Sequence, residues 1–192
     1  MRLKYNAPVI LTYTLLCTIV LLVSEYAVDL RPLFTIFPEF RPGDPTWYFQ
    51  LFSHVIGHAN WEHLTGNFTM ILLIGPILEE KYGSRDLLLM MAVTALVTGL
   101  LHIFFFSEGL MGASGVVFML ILLSSFTNNR GGIPLTFVLV VVLFLGKEIV
   151  AAFGEDNVSQ FAHIIGGALG GVFGFIWEKR PAQQQTPGRP LG

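Results

Sequence analysis

Charge is scarce in this chain: Asp, Glu, Lys and Arg together make up 12% of its 192 residues, where an ordinary soluble domain carries about a quarter. A water-soluble core is therefore the wrong frame. Basic blocks and aromatic-basic interleaving are missing too, and the formal net charge is −2, so the electrostatic footprint that nucleic-acid binding requires is not there. The single cysteine, Cys17, lies in an apolar run, which excludes an intrachain disulfide and a cysteine-based zinc site and leaves a buried thiol. The apolar runs also lack the strict alternation of a membrane β-barrel strand.

What is present is apolar: 53% of the residues are hydrophobic and the mean hydropathy is +0.66. At this length one domain is expected, 1–180, followed by a Gln- and Pro-rich tail, 181–192, with the composition of a disordered segment. Apolar runs predict membrane-spanning helices near 8–28, 62–78, 87–106, 112–127, 133–151 and 158–177, because backbone in hydrocarbon must satisfy its own hydrogen bonds. The fold expected is thus an all-α membrane protein of six spans. No small-x-small cleavage pattern follows the first run, so it reads as a retained span.

Orientation follows from the cations. Arg2, Lys4, Lys81, Arg85, Arg130, Lys179, Arg180 and Arg189 fall on one side of this arrangement, against Arg31 and Arg41 on the other. The positive-inside rule then puts both termini in the cytoplasm and starts spans two, four and six at the outer face. The first loop, about 29–61, mixes prolines with Phe34, Phe37, Phe40, Trp47, Tyr48 and Phe49, as an interfacial segment would.

Polar residues stand out where these three spans begin. Span two carries His63 and Asn67, four apart and on one helical face; span four opens Gly112-Ala113-Ser114-Gly115; span six carries His163, with Gly166, Gly170 and Gly174 at small-xxx-small spacing. Intramembrane polar groups face the bundle interior and are functional candidates by default. At about 1.5 Å per residue all four lie within the first turns, some ~5–10 Å below the outer surface. Span four is about 16 residues and ~24 Å long, against a ~30 Å hydrocarbon core, so its first turn can begin in a wet cavity below the surface.

The residue types suggest acyl transfer. A serine hydroxyl needs a base within hydrogen-bond reach, and a neutral imidazole titrates in the right range, making Ser114 the candidate nucleophile and His163 the candidate base. Gly166 and Gly170 would let span six approach span four. The Asn67 amide, the His63 ring N–H and the Ser114 backbone N–H are candidate oxyanion donors, aided by the helix dipole at Ser114. No carboxylate stands at this depth on spans four or six to complete a triad, and Phe118, four residues after Ser114, offers a ring for His163 to lie against.

Each motif has a bland alternative. Gly-x-Ser-Gly is more often a packing motif than a catalytic one, a lone intramembrane histidine can be interhelical glue, and His63 with Asn67 can be a structural pair. Packing alone must then explain why all three motifs share one depth. His54, His58 and His63 form a possible metal set, but lack an evident fourth ligand because Glu62 points to a neighbouring face, so hydrogen bonding that shapes the loop is the simpler role for His54 and His58. His102 reads either as a structural histidine or as a holder of water.

The ordered set His63-x3-Asn67, Gly112-x-Ser114-Gly115 and Ala162-His163-x2-Gly166-x3-Gly170 resembles the rhomboid intramembrane serine proteases, over about Phe52 to Trp177. The resemblance implies a six-helix rhomboid core, a Ser114–His163 dyad assisted by His63 and Asn67, structural support from Gly112, Gly115, Phe118, Gly166 and Gly170, and no metal or cofactor. Its implied partners are the bilayer and transmembrane protein substrates cleaved beside small residues in helices that can unwind. Compactness and the lack of organelle-type targeting favour a bacterial plasma membrane, with the site opening to the extracytoplasmic side. Three positions depart from the family pattern: Phe49 and Gln50 stand where a Trp-Arg pair is common, and Phe118 where Tyr is common. Glu79 matches a family glutamate expected to tie helices together. A rhomboid-like helix-binding protein without catalysis is the competing class, and such proteins typically lack the serine or the histidine retained here.

Overall fold

The structure, a computed structural model, describes residues 5–126, 133, 135–139, 142–143 and 157–178. Among these the chain is helical, with no strand beyond one isolated bridge. The helices are α1 (Pro8–Tyr26), α2 (Pro45–Ser53), α3 (Trp61–Tyr82), α4 (Ser84–Phe105), α5 (Ser114–Ser124) and α6 (Asn157–Glu178), with a 3-10 turn at Arg31–Phe34. Three helical segments, Pro8–Tyr26, Ser84–Phe105 and Gln160–Trp177, are long and apolar enough to cross a membrane, and α5 is a shorter apolar helix. The span expected at 133–151 lies mostly outside the described residues, although 135–139 is helical. The tail from 181 lies outside them altogether.

Helix boundaries follow local chemistry. Pro8 occupies the first turn of α1, where its missing N–H costs nothing. The orphan N–H groups of Val9 and Ile10 instead donate to the Glu79 carboxylate at 2.9 and 3.0 Å, and Ser84 Oγ donates to the same group at 2.7 Å. One buried side chain thus ties α1, α3 and the start of α4 together. Asp44 caps α2 by accepting from Thr46 N, and Asn60 caps α3 by accepting from His63 N at 2.8 Å. Gly83, at φ +81°, makes the tight passage from α3 to α4.

The main core runs along α1, α3, α4 and α5 through Ile10, Cys17, Ile71, Leu78, Leu87, Met90, Val116 and Leu120. At one end the first loop packs down as a second small cluster around Ile36, Trp47, Leu51, Ile103 and Leu110. This loop is built rather than loose. Gln50 donates to Pro32 O at 2.9 Å and accepts from Arg41 at 3.2 Å, Ser53 donates to Leu33 O, and Tyr13 of α1 donates to Val55 O at 2.6 Å. Gln50, one of the residues that depart from the family pattern, is therefore a buried tie within the loop.

At the other end Lys81 donates to Phe126 O beyond the last turn of α5, and Trp177 Nε1 donates to Asp86 Oδ2 at 2.6 Å, fastening α6 to α4.

Candidate active site

Three local devices place Ser114. Ile36 and Leu110 exchange backbone hydrogen bonds of 3.0 and 2.9 Å, so the first loop holds the segment leading into α5. Gly112 N donates to His54 O at 2.9 Å, a second tie to the same loop. Gly112 itself sits at φ +133°, a conformation open to glycine, and a Cβ there would meet the His63 ring at 2.5 Å. Ser114 then opens α5 as its first residue, at the positive end of the helix dipole and beside first-turn N–H groups that a helix leaves without partners of its own.

α6 reaches α5 through glycine. A Cβ on Gly166 would collide with the backbone carbonyl of Gly115, and one on Gly170 with that of Met119, so the two helices touch backbone to backbone along this seam. Gly115 adds its own contact, with Ala162 O 3.3 Å from where its Cβ would stand. This approach carries His163 over α5, where its imidazole stacks on Phe118 with centroids 4.1 Å apart and planes 9° apart.

The result is a cavity of about 520 Å³ lined by His63, Asn67, Ser114, Phe118 and His163, together with Asn60, Glu62, Gly66, Met70, Val117 and Ile121. All four polar residues singled out at the helix starts thus border one space. Ser114 and His163 are half-buried and Asn67 is buried.

Sequence reasoning gave His58 a hydrogen-bonding role in shaping the first loop, and the structure adds a bond to Asn67. Asn67 Nδ2 donates to His58 Nε2 at 3.1 Å while His58 Nδ1 donates to Ile56 O at 3.1 Å, two bonds that agree on one tautomer. Its ring also stands edge-on to His63, centroids 5.1 Å apart. His58 therefore holds the amide of Asn67 from behind. His54 lies deeper, its Nδ1 bonded to Gln50 O at 3.1 Å and its Nε2 at 3.4 Å from Thr98 Oγ1. Burial pushes both His54 and His58 down to about 4, which keeps them neutral. His102 is buried, stacked on Phe106, with Nε2 donating to Glu108 O at 2.6 Å. No set of three or more His, Cys, Asp or Glu side chains among the described residues is arranged to hold a metal ion.

Comparison with known proteins gives the family of the chain. Residues 45–180 match the Rhomboid domain. The chain belongs to the rhomboid family. It is similar to the rhomboid protease GlpG of Haemophilus influenzae, 21% identical over 92% of this chain and 94% of that protein. It is also similar to RHOMBOID-like protein 4 of Arabidopsis thaliana, 32% identical over 72% of this chain and 36% of that protein, and to RHOMBOID-like protein 1 of the same plant at 28% over 69% and 35%. This rhomboid thus spans nearly the full length of the bacterial relative and about a third of the plant ones. The matched range includes every residue lining the cavity.

Proposed function

We propose that this rhomboid is an intramembrane serine endopeptidase that cleaves transmembrane segments of other membrane proteins. The observation that carries the reading is the single cavity bordered by Ser114, His163, Asn67 and His63, in a chain whose family includes a rhomboid protease similar along almost its whole length.

In this mechanism the Ser114 Oγ proton passes to the His163 imidazole as Oγ bonds to the scissile carbonyl carbon. The carbonyl oxygen takes the negative charge, met by the Asn67 amide, the His63 ring N–H and the Ser114 backbone N–H. Imidazolium then gives its proton to the departing amine, the C–N bond breaks, and an acyl ester remains on Ser114. Water, deprotonated by His163, attacks that ester and frees a carboxylate and the serine. Stacking on Phe118 helps to orient the imidazole, and no metal or cofactor enters any step.

The domain is proposed to span the bilayer six times, with both termini cytoplasmic and the site opening to the extracytoplasmic side. That orientation rests on the distribution of Lys and Arg. A bacterial plasma membrane is the proposed location, supported by the similarity to a bacterial relative over nearly its whole length.

The test uses purified protein in detergent with a model transmembrane substrate. Cleavage that survives chelators and is lost in Ser114→Ala and His163→Ala is expected, with a serine-directed phosphonate mapped to Ser114 by mass spectrometry. Cleavage abolished by chelators but unaffected by Ser114→Ala would overturn the reading in favour of metal chemistry. Tight substrate binding with no cleavage and no phosphonate adduct would make this a helix-binding rhomboid instead.

A further inference from the structure

Glu62 lines the same cavity as Ser114 and is exposed, yet nothing in the mechanism uses it. It is the one acidic side chain among the lining residues, and no Lys or Arg accompanies it there. Among the described residues the ion pairs all involve Arg31 or Arg41, with Glu25, Asp29, Glu39 and Asp44 as their partners. Neighbouring Thr65 turns its hydroxyl to the backbone carbonyls of Trp61 and Glu62, not to the carboxylate. An exposed carboxylate bordering an otherwise neutral cavity is thus uncommitted within the described chain.

Its place on α3 defines what it faces. Glu62, Gly66 and Met70 recur at four-residue intervals and form one stripe, beside the His63–Asn67 stripe. A Cβ added at Gly66 would meet nothing within 4 Å, so the middle of the stripe is a trough, and Met70 below it is 39% exposed. From Glu62 to Met70 the helix rises about 12 Å at 1.5 Å per residue, which an extended peptide covers in about four residues. A strand laid along this stripe meets a negative charge at one end, open room in the middle and an apolar thioether at the other.

We propose that Glu62 is a specificity-determining residue that favours substrates carrying Lys or Arg a few residues from the scissile bond, on the side that lies at the first turn of α3. The proposal rests on the proteolytic reading of the cavity. The preference is electrostatic: a cation on the substrate pairs with the carboxylate, and an anion at the same position is repelled by it.

The experiment scans one position at a time, within five residues on either side of the cleavage site of a model transmembrane substrate, with Lys, Gln and Glu. Wild type, Glu62→Gln and Glu62→Lys are compared by kcat/KM, and binding of the same substrates to Ser114→Ala is measured alongside, with and without the added Glu62 changes. The Lys-to-Glu ratio within one protein is independent of how much of that protein is folded. At one or two positions on one side of the bond, wild type is expected to prefer Lys over Glu by about threefold to tenfold, as a partly screened pair allows. Glu62→Gln brings the ratio to near one and Glu62→Lys inverts it, in cleavage and in binding alike. A ratio that is the same in all three proteins at every position overturns the proposal and leaves Glu62 as a complement to the α3 dipole. Loss of cleavage in wild type with the binding ratios intact would overturn the protease reading alone.

Discussion

The His163 imidazole lies flat against the Phe118 ring, 4.1 Å between centroids and 9° between planes. The two residues come from different helices, α6 and α5, so the stack fixes the imidazole in a plane set by α5, the helix that also carries Ser114. Among the described residues no carboxylate on α5 or α6 lines the cavity, and the stack is one contact that holds the ring in place.

Phe118→Ala should therefore lower kcat more than it raises KM. A stacked pair is worth about 0.5–1.5 kcal/mol, so a loss of roughly threefold to tenfold is expected, with Phe118→Tyr retaining activity because the ring is kept. Steady-state kinetics on a model transmembrane substrate decide it. Equal rates for the alanine and tyrosine variants would show that the imidazole is oriented by something else.

Gly166→Ala tests the seam between α5 and α6, where an added Cβ meets the Gly115 carbonyl. Backbone cannot yield as a flexible side chain can, so overpacking of about 1–3 kcal/mol is expected, with a lower melting temperature in detergent and activity lost by displacement of His163. Gly167→Ala is the control, since a Cβ there stands 3.4 Å from the end of Leu122 and should be accommodated. Equal melting temperatures for the two variants would show that the helices are free to separate.

Much of this site was legible before the structure. His63, Asn67, Ser114 and His163 stand near the starts of three spans read from the charge pattern as running the same way, and the four border one cavity, while the four-residue glycine spacing announced the close seam on α6. Less was legible where contacts join distant segments. That Gly112 makes room for the His63 ring, that Ile36 bridges to Leu110, and that Glu79 caps a helix 69 residues before it depends on how the first loop folds back, and helical periodicity does not encode loop paths. The spacing of His58 and Asn67, nine residues across a helix start, gave no periodic signal either.

On the proteolytic reading His58, bonded to the Asn67 amide, is a positioning residue. His58→Phe removes the acceptor for the Asn67 amide and should lower kcat by about tenfold, less than the hundredfold or more that loss of an oxyanion donor costs, while leaving KM nearly unchanged. Combining it with Asn67→Ala should add little beyond Asn67→Ala alone, because residues acting through one group are not additive. Additive losses in that cycle would separate His58 from Asn67.

Acid should destabilise the fold through the two buried histidines of the first loop. His54 and His58 both lie near 4 when folded, below the ordinary histidine value of 6.5. The unfolded chain then binds protons that the folded chain refuses, so the stability they contribute is complete above pH 6.5 and is lost as pH falls toward 4. Melting temperatures measured between pH 8 and 4 should fall through that window, and His54→Gln should flatten the fall. An unchanged slope in His54→Gln would place the acid sensitivity elsewhere.

Glu79 accepts from Val9 N, Ile10 N and Ser84 Oγ, all within 3.0 Å, and is 4% exposed. Its loss should be among the most damaging in the molecule, because Glu79→Ala strands two first-turn amides of α1 and a buried hydroxyl at once. Charge-assisted bonds of this kind are worth about 1.5–3 kcal/mol each, though not additively, so a total of roughly 3–5 kcal/mol is expected. Glu79→Gln keeps an acceptor oxygen but offers one instead of two, and should fall between wild type and alanine. Faster hydrogen exchange at the α1 amides in Glu79→Gln, with exchange in α5 unaffected, would distinguish loss of the cap from general loosening. If α1 exchanges as slowly in the alanine variant as in wild type, the helix is held by its packing on α3, where Ile10 meets Gly75, and the carboxylate is dispensable.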